Sequence, residues 1–287
     1  MQINFKCYDC IFKLILELAE KLGPTHDSRK ALANEMLQHC VNVSSKGGTP
    51  PELLAHLWGE IHIRESGCSD PMAEIKHNST KLALQLLPRL REIVNTSDDP
   101  FETAVCLAAA GNISDYGINR NLDLSTVEES VDSILSQPYD RAAAQELKKR
   151  MDEADSILYI LDNCGEAVID RLLMEPYKEK LTVGVRGIPV LNDVTYEDAL
   201  ESGIDFAPVI DTGDGTAGVS FTRSSAEFLE KLHNVDLVIA KGQGNFESME
   251  HIFPRPVFYL FRAKCEVITS LLNCPLNSIQ IIPKNLK

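Results

Sequence analysis

The sequence predicts an α/β protein in which a helical N-terminal half, residues 1–153, packs on a Rossmann-like, doubly wound, mainly parallel sheet formed by residues 154–287. Three observations predict it. From Ser156 onward, short apolar runs at 156–161, 181–185 (LTVGV), 207–210 (APVI), 236–240 (DLVIA) and 257–261 (VFYLF) alternate with helix-like stretches near 165–177, 195–202, 224–233 and 263–272. Strands buried on both faces read as continuous apolar runs, and their alternation with helices is the pattern of parallel βαβ units. Before Ser156 the apolar residues recur at helical spacing, and nothing reads as a sheet. No Pro/Gly/Ser-rich linker interrupts 152–155, so the two halves are expected to share an interface.

Taken in order, residues 9–22 (DCIFKLILELAEKL) carry a helical apolar stripe that stops at Gly23-Pro24. Thr25 or Asp27 suits the cap of a second helix running to about Cys40. VNVSSKGGTPPE reads as a loop, and Pro50 and Pro51 open a helix through LLAHLWGEIHIRES. Asp70 and Pro71 have the chemistry of an N-cap and a first-turn proline for a long helix that Pro88 should bend or end. Asp99-Pro100 starts an alanine-rich helix closed by Gly111. Two further helices, Leu124–Leu135 and Tyr139–Met151, are separated by the break at Gln137-Pro138.

A chain of 287 residues with 44% apolar and 24% charged side chains can bury a sizeable core. Its formal net charge of −14 argues against nucleic acid or an anionic membrane as the main partner, since both require a basic surface. A phosphate substrate remains compatible if positive charge is concentrated locally, most simply by a metal ion. No apolar segment approaches a membrane span, and MQINFKCYDC lacks the apolar core of a signal peptide, so a cytoplasmic location is expected. Among the eight cysteines, Cys7 and Cys10 form a C-x-x-C, which suits half a zinc site, a redox pair or simple packing.

The chemistry is expected at strand ends, because open parallel sheets bind ligands outside their carboxyl edges. The first run, ILYIL, ends in Asp162 and Asn163, and Gly165 then lets the chain turn into a helix. A carboxylate beside an amide oxygen is a hard-cation donor pair, although Asp-Asn is also ordinary turn material. Asn192 and Asp193 follow LTVGV, where Asp193 either joins Asp162 at an ion or caps the helix beginning at Thr195. Lys241 follows DLVIA and begins a loop, Gly242, Gln243, Gly244, Asn245, whose amides can approach an anion. GDGTAG (Gly213, Gly215, Gly218) matches the dinucleotide fingerprint, but VSF after it is β-like where a helix should open, so it reads as a flexible rim loop. The seven histidines form no H-E-x-x-H, and neither a G-x-S-x-G nor a Walker phosphate loop occurs.

In this order, AAGNISDYG, LDNCGEAVID, RGIPVLNDVTYEDA, VIDTGDGTAG and AKGQGNFES make the chain similar to the ARMT-like family of metal-dependent damage-control phosphatases, over nearly its whole length. The N-terminal C-x-x-C resembles that of its mostly microbial branch. The resemblance implies a divalent ion (Mg, Mn, Co or Ni) on Asp162, Asn163 and Asp193. It also implies a phosphate contact from Lys241, with Asn112 and Asp115 in the matching GN-x-x-D element. The expected substrate is then a small phosphorylated metabolite, such as a sugar phosphate, a nucleotide or a phosphopantetheine derivative. Gly242, Gly244 and Asn245 would border it, and Glu166 either orients the attacking water or serves the helix dipole. Two rivals stay open: a carboxyl methyltransferase on the same kind of sheet, and a zinc-stabilised adaptor built on Cys7 and Cys10.

Overall fold

Residues 1–111 and 131–286 are described by the computed structural model, so Asn112 and Asp115 lie outside the described residues. The apolar runs form β1 (Ile157–Ile160), β2 (Leu181–Val185), β3 (Val209–Asp211), β4 (Leu237–Lys241) and β5 (Val257–Arg262). A sixth strand, β6 (Ile279–Lys284), completes the sheet in the order β3-β2-β1-β4-β5-β6. The first five pair in parallel, and β6 runs antiparallel on β5. In the centre, Ile160 is level with Gly184 of β2 on one side and with Ala240 of β4 on the other. The strand order reverses between β1 and β4, and the crevice of a doubly wound sheet opens above such a reversal.

The sequence reading missed β6. It carries Pro283 and alternates the buried Ile279 and Ile281 with the partly exposed Gln280 and Ile282, so it lacks the apolar continuity of the central strands; an edge position tolerates both features.

The alanine-rich helix Pro100–Ala110 begins as expected, with Asp99 Oδ1 accepting from the Glu102 amide at 3.0 Å. With Ala73–Thr96 and Arg141–Glu153 it packs on one face of the sheet in a single apolar cluster that includes Leu90, Val105, Ala144, Tyr159 and Phe258. The other face holds Leu158, Phe228, Phe246 and Tyr259. The first helices, Cys7–Leu22 and His26–Ser45, form a smaller cluster with Leu53 and Leu57.

Four local expectations are corrected. The long helix starts at Ala73, not at Pro71; Asp70 Oδ1 accepts from the Met72 amide at 3.0 Å just ahead of it, and Oδ2 from the ammonium of Lys76 at 2.7 Å. Of the two outcomes open at Pro88, ending the helix is overturned: the helix continues to Thr96, and Leu87, Leu90 and Val94 bury its next turns. The helix after Pro50 is α only to Leu54, then π over Ala55–His62, then α again over Ile63–Ser66. VSF after the glycine string is not a strand, and the next helix opens only at Ala226. Among the described residues, no helix is long and apolar enough to cross a membrane.

Candidate active site at the carboxyl edge of the sheet

Leaving β1, the chain is tied to the segment after β2: the Val194 amide donates to Asp162 O at 2.8 Å, and the Cys164 amide to Asn192 O at 2.9 Å. These bonds bring Asn163 opposite Asp193. The helix that Asp193 was a candidate to cap is capped by Thr195 in a capping box with Asp198, which accepts from the Thr195 amide at 2.8 Å, and Asp193 accepts from Arg186. The ammonium of the buried Lys76 pairs with the same Asp198 and so fastens the N-terminal half to this segment.

Asp162, Asn163, Glu166 and Asp193 therefore converge. Asn163 Nδ2 donates to Asp162 Oδ2 at 2.9 Å and to Glu166 Oε1 at 3.1 Å. Burial, then the negative charges of Asp193 and Glu166, push the Asp162 carboxyl up to about 8; the positive charges of Lys264 and Arg186 act against this. Burial also raises Asp193, although Arg186 opposes it. Arg186 is fully buried, and its Nε donates to Asp193 Oδ2 at 2.8 Å while Nη1 donates to Gly218 O at 2.8 Å. Sequence reasoning passed over this residue; its position immediately after β2, seven residues before Asp193, was the available signal.

Lys241 is not the free strand-end cation the sequence suggested. Its ammonium is 1% exposed and donates to Asp170 Oδ1 at 2.7 Å, with Glu166 Oε2 at 3.8 Å. Burial weighs against its charge, but Asp170 and Glu166 outweigh burial and raise its pKa. The expected loop after it is the helix Gly242–Met249, entered through Gly242 at φ 79°. A Cβ on Gly242 would lie 2.0 Å from the Asp162 carboxyl, so β1 and β4 meet here at a position only glycine fits. Gly244 is packed against Ala217 O, and Asn245 is wholly buried, donating to Lys241 O at 2.6 Å and accepting from Arg186 Nη2 at 3.3 Å.

The exposed cation at the mouth is Lys264, just beyond β5, whose charge favours ionised Asp162. Its backbone amide donates to Gln243 Oε1 at 2.9 Å. The glycine string is not the flexible rim loop that was expected: Asp214 to Gly218 are buried, the amides of Gly187 and Ile188 donate to Asp214 O at 3.0 and 3.1 Å, and Gly218 O receives Arg186. Cys7 also comes close to this edge, because Lys6 pairs with Glu266 next to Cys265. Burial pushes its thiol up, with the charges of Glu247, Cys265 and Cys10 adding. All eight cysteines are free thiols.

Two carboxylates and one amide oxygen at a strand-order reversal are the donors of a hydrated hard ion such as Mg²⁺ or Mn²⁺. Among the described residues no three His, Cys, Asp or Glu side chains form a ready metal cage. The set fits on a different ground. The available cations Arg186 and Lys241 are committed to Asp193 and Asp170, while Asp162 receives one amide hydrogen bond and faces two further carboxylates.

This fold is that of a Rossmann-like α/β protein with its candidate site at the carboxyl edge of the sheet. The model of the damage-control phosphatase ARMT1-like domain matches residues 3–279, and the chain belongs to that family of phosphatases. A damage-control phosphatase of Archaeoglobus fulgidus is 32% identical over 278 residues, 93% of this chain and 94% of its own. Another, from Pyrococcus horikoshii, is 29% identical and covers 96% of each chain. The crystal structure of a DUF89 family protein from Pyrococcus horikoshii matches with a TM-score of 0.83 at 27% identity, over 98% of this chain and 99% of that one.

Proposed function

We propose that this phosphatase hydrolyses a small phosphate monoester with the help of a divalent ion held by Asp162, Asn163 and Asp193. The observation that carries this reading is the uncompensated carboxylate: Asp162 stands beside Asp193 and Glu166 and has no ion pair among the described residues. Like charges so placed repel unless a cation or a proton intervenes. When bound, the ion supplies Lewis acidity at a phosphoryl oxygen and neutralises charge there.

The rest of the work falls to side chains of this chain. Lys264, exposed at the mouth, meets the phosphoryl oxygens with a charge-assisted hydrogen bond. Glu166 holds Asn163 through Nδ2, which turns the amide oxygen toward the crevice as a donor. Lys241 keeps Glu166 and Asp170 in place from beneath, a positioning role in place of the phosphate contact expected of it.

The test is release of inorganic phosphate from a panel of sugar phosphates, nucleotides and phosphopantetheine derivatives. Protein stripped with a chelator is compared with protein resupplied with Mg²⁺, Mn²⁺, Co²⁺ or Ni²⁺. Hydrolysis should require the ion and disappear in Asp162→Asn. Undiminished turnover after stripping would refute the reading.

A further inference from the structure

We propose a second anion-binding site, separate from the crevice, that takes a small organic phosphate. It is a cavity of about 970 Å³ between the end of the His26–Ser45 helix, the turn that follows it, and residues 219–223. None of Asp162, Asn163, Glu166, Asp193, Lys241 or Lys264 lines it.

Its charge runs against that of the chain. The whole sequence has 42 acidic residues to 28 lysines and arginines, yet the cavity is lined by Lys46 and Arg223 against the single acid Glu52; of its three histidines, His56 and His251 are held by Glu60 and Glu250 from outside the lining. Both oxygens of Glu52 are engaged: Oε2 accepts from the Thr49 amide at 2.9 Å and Oε1 from Ser220 Oγ at 2.8 Å. Lys46 has no ion pair among the described residues. Arg223 uses Nε on Asp214 and Nη2 on Glu60, leaving Nη1 without a partner among the described residues. The rings of His39 and His56 stack at 4.9 Å, with His56 Nδ1 held by Glu60 Oε2 at 3.0 Å.

Two features shape the ligand. With the Ser220 proton committed to Glu52, the Thr222 hydroxyl, beside Arg223 in the chain, is the one that suits a phosphate oxygen. Val43, Val219, Phe221 and Ile252 supply an apolar wall for an organic body, which a bare phosphate ion would leave unused. His56 is carried by the π-helix Ala55–His62, an irregular element of the kind that recurs at functional sites. This inference does not depend on what the crevice does.

Phenylphosphonate is the probe, since it has the charge and the ring and cannot be hydrolysed. Calorimetric titration into the full-length, metal-stripped protein should show one site. Affinity should fall about tenfold, the loss of one charged contact, in Lys46→Glu and in Thr222→Asp on the opposite wall. Lys46→Arg should bind nearly as wild type, Asp162→Asn should bind unchanged, and Lys46→Glu should keep full phosphatase turnover in the absence of the probe. Absence of binding up to about 10 mM, a concentration that detects even millimolar affinity, would overturn the proposal. Equal affinity in wild type, Lys46→Glu and Thr222→Asp, or binding abolished by Asp162→Asn, would also overturn it.

Discussion

Replacing Lys241 by Met should cost stability in a way that grows with pH. The Lys241 ammonium is fully buried, 2.7 Å from Asp170 Oδ1, and methionine keeps its apolar stem while leaving that carboxyl without a cation. Asp170 is already pushed up to about 6, because burial outweighs the attraction of Lys241. A carboxyl raised above its unfolded value of 3.8 binds its proton more tightly in the native state. The stability it contributes is full below about pH 4 and is lost as pH rises through about 6.

Without Lys241 the native value climbs further, and the loss continues above pH 6 at up to about 1.4 kcal/mol per pH unit. The variant should lie close to wild type at pH 5 and about 2–3 kcal/mol below it at pH 8. Urea denaturation of metal-stripped protein at the two pH values, followed by the fluorescence of Trp58, the single tryptophan, measures the difference. Lys241→Met combined with Asp170→Asn should recover most of the loss at pH 8, since neither partner is then left charged. An equal penalty at both pH values, or a double variant no more stable than the single one, would refute the ion-pair account.

Asp162→Asn and Asp193→Asn should each abolish ion-dependent phosphate release, and Asp162→Asn should raise the melting temperature of the metal-stripped protein by removing a repelled charge; a lower melting temperature would contradict the crowding of carboxylates. Asp193→Ala should also be less stable to urea than Asp193→Asn, by about 1–3 kcal/mol, because it leaves the buried Arg186 Nε without an acceptor while Gly218 O and Asn245 Oδ1 keep the other nitrogens. Lys264→Ala should lower turnover at saturating ion about a hundredfold with little change in stability, and wild-type turnover would remove Lys264 from the phosphate site. Gly242→Ala should destabilise by about 2–4 kcal/mol, measured by urea denaturation, since its Cβ collides with the Asp162 carboxyl at a positive φ. Replacing Cys7 and Cys10 by serine should leave turnover near wild type while lowering the melting temperature; loss of turnover in a folded variant would tie the thiols to the crevice edge.

Local chemistry was enough for the sequence to determine the class of fold and the place of the candidate site residues on the sheet. Continuous runs such as ILYI and LVIA are strands wherever they are buried on both faces, and their alternation with helices dictates parallel pairing. Once the sheet is parallel, Asp162 and Asp193 must stand on its carboxyl edge. The partners of each charge were decided only by the tertiary structure, because strand order sets which ends meet. Lys241 looked like a free cation, and the β1–β4 pairing set it against Asp170, 71 residues away. Arg186 was invisible until Asp193 folded back on it, and Lys264 until β5 took its place beside β4. Burial made the difference in each case: in the dry floor of the crevice a charge is tolerated only beside its opposite, and that pairing is a property of the packed sheet, not of any stretch of chain.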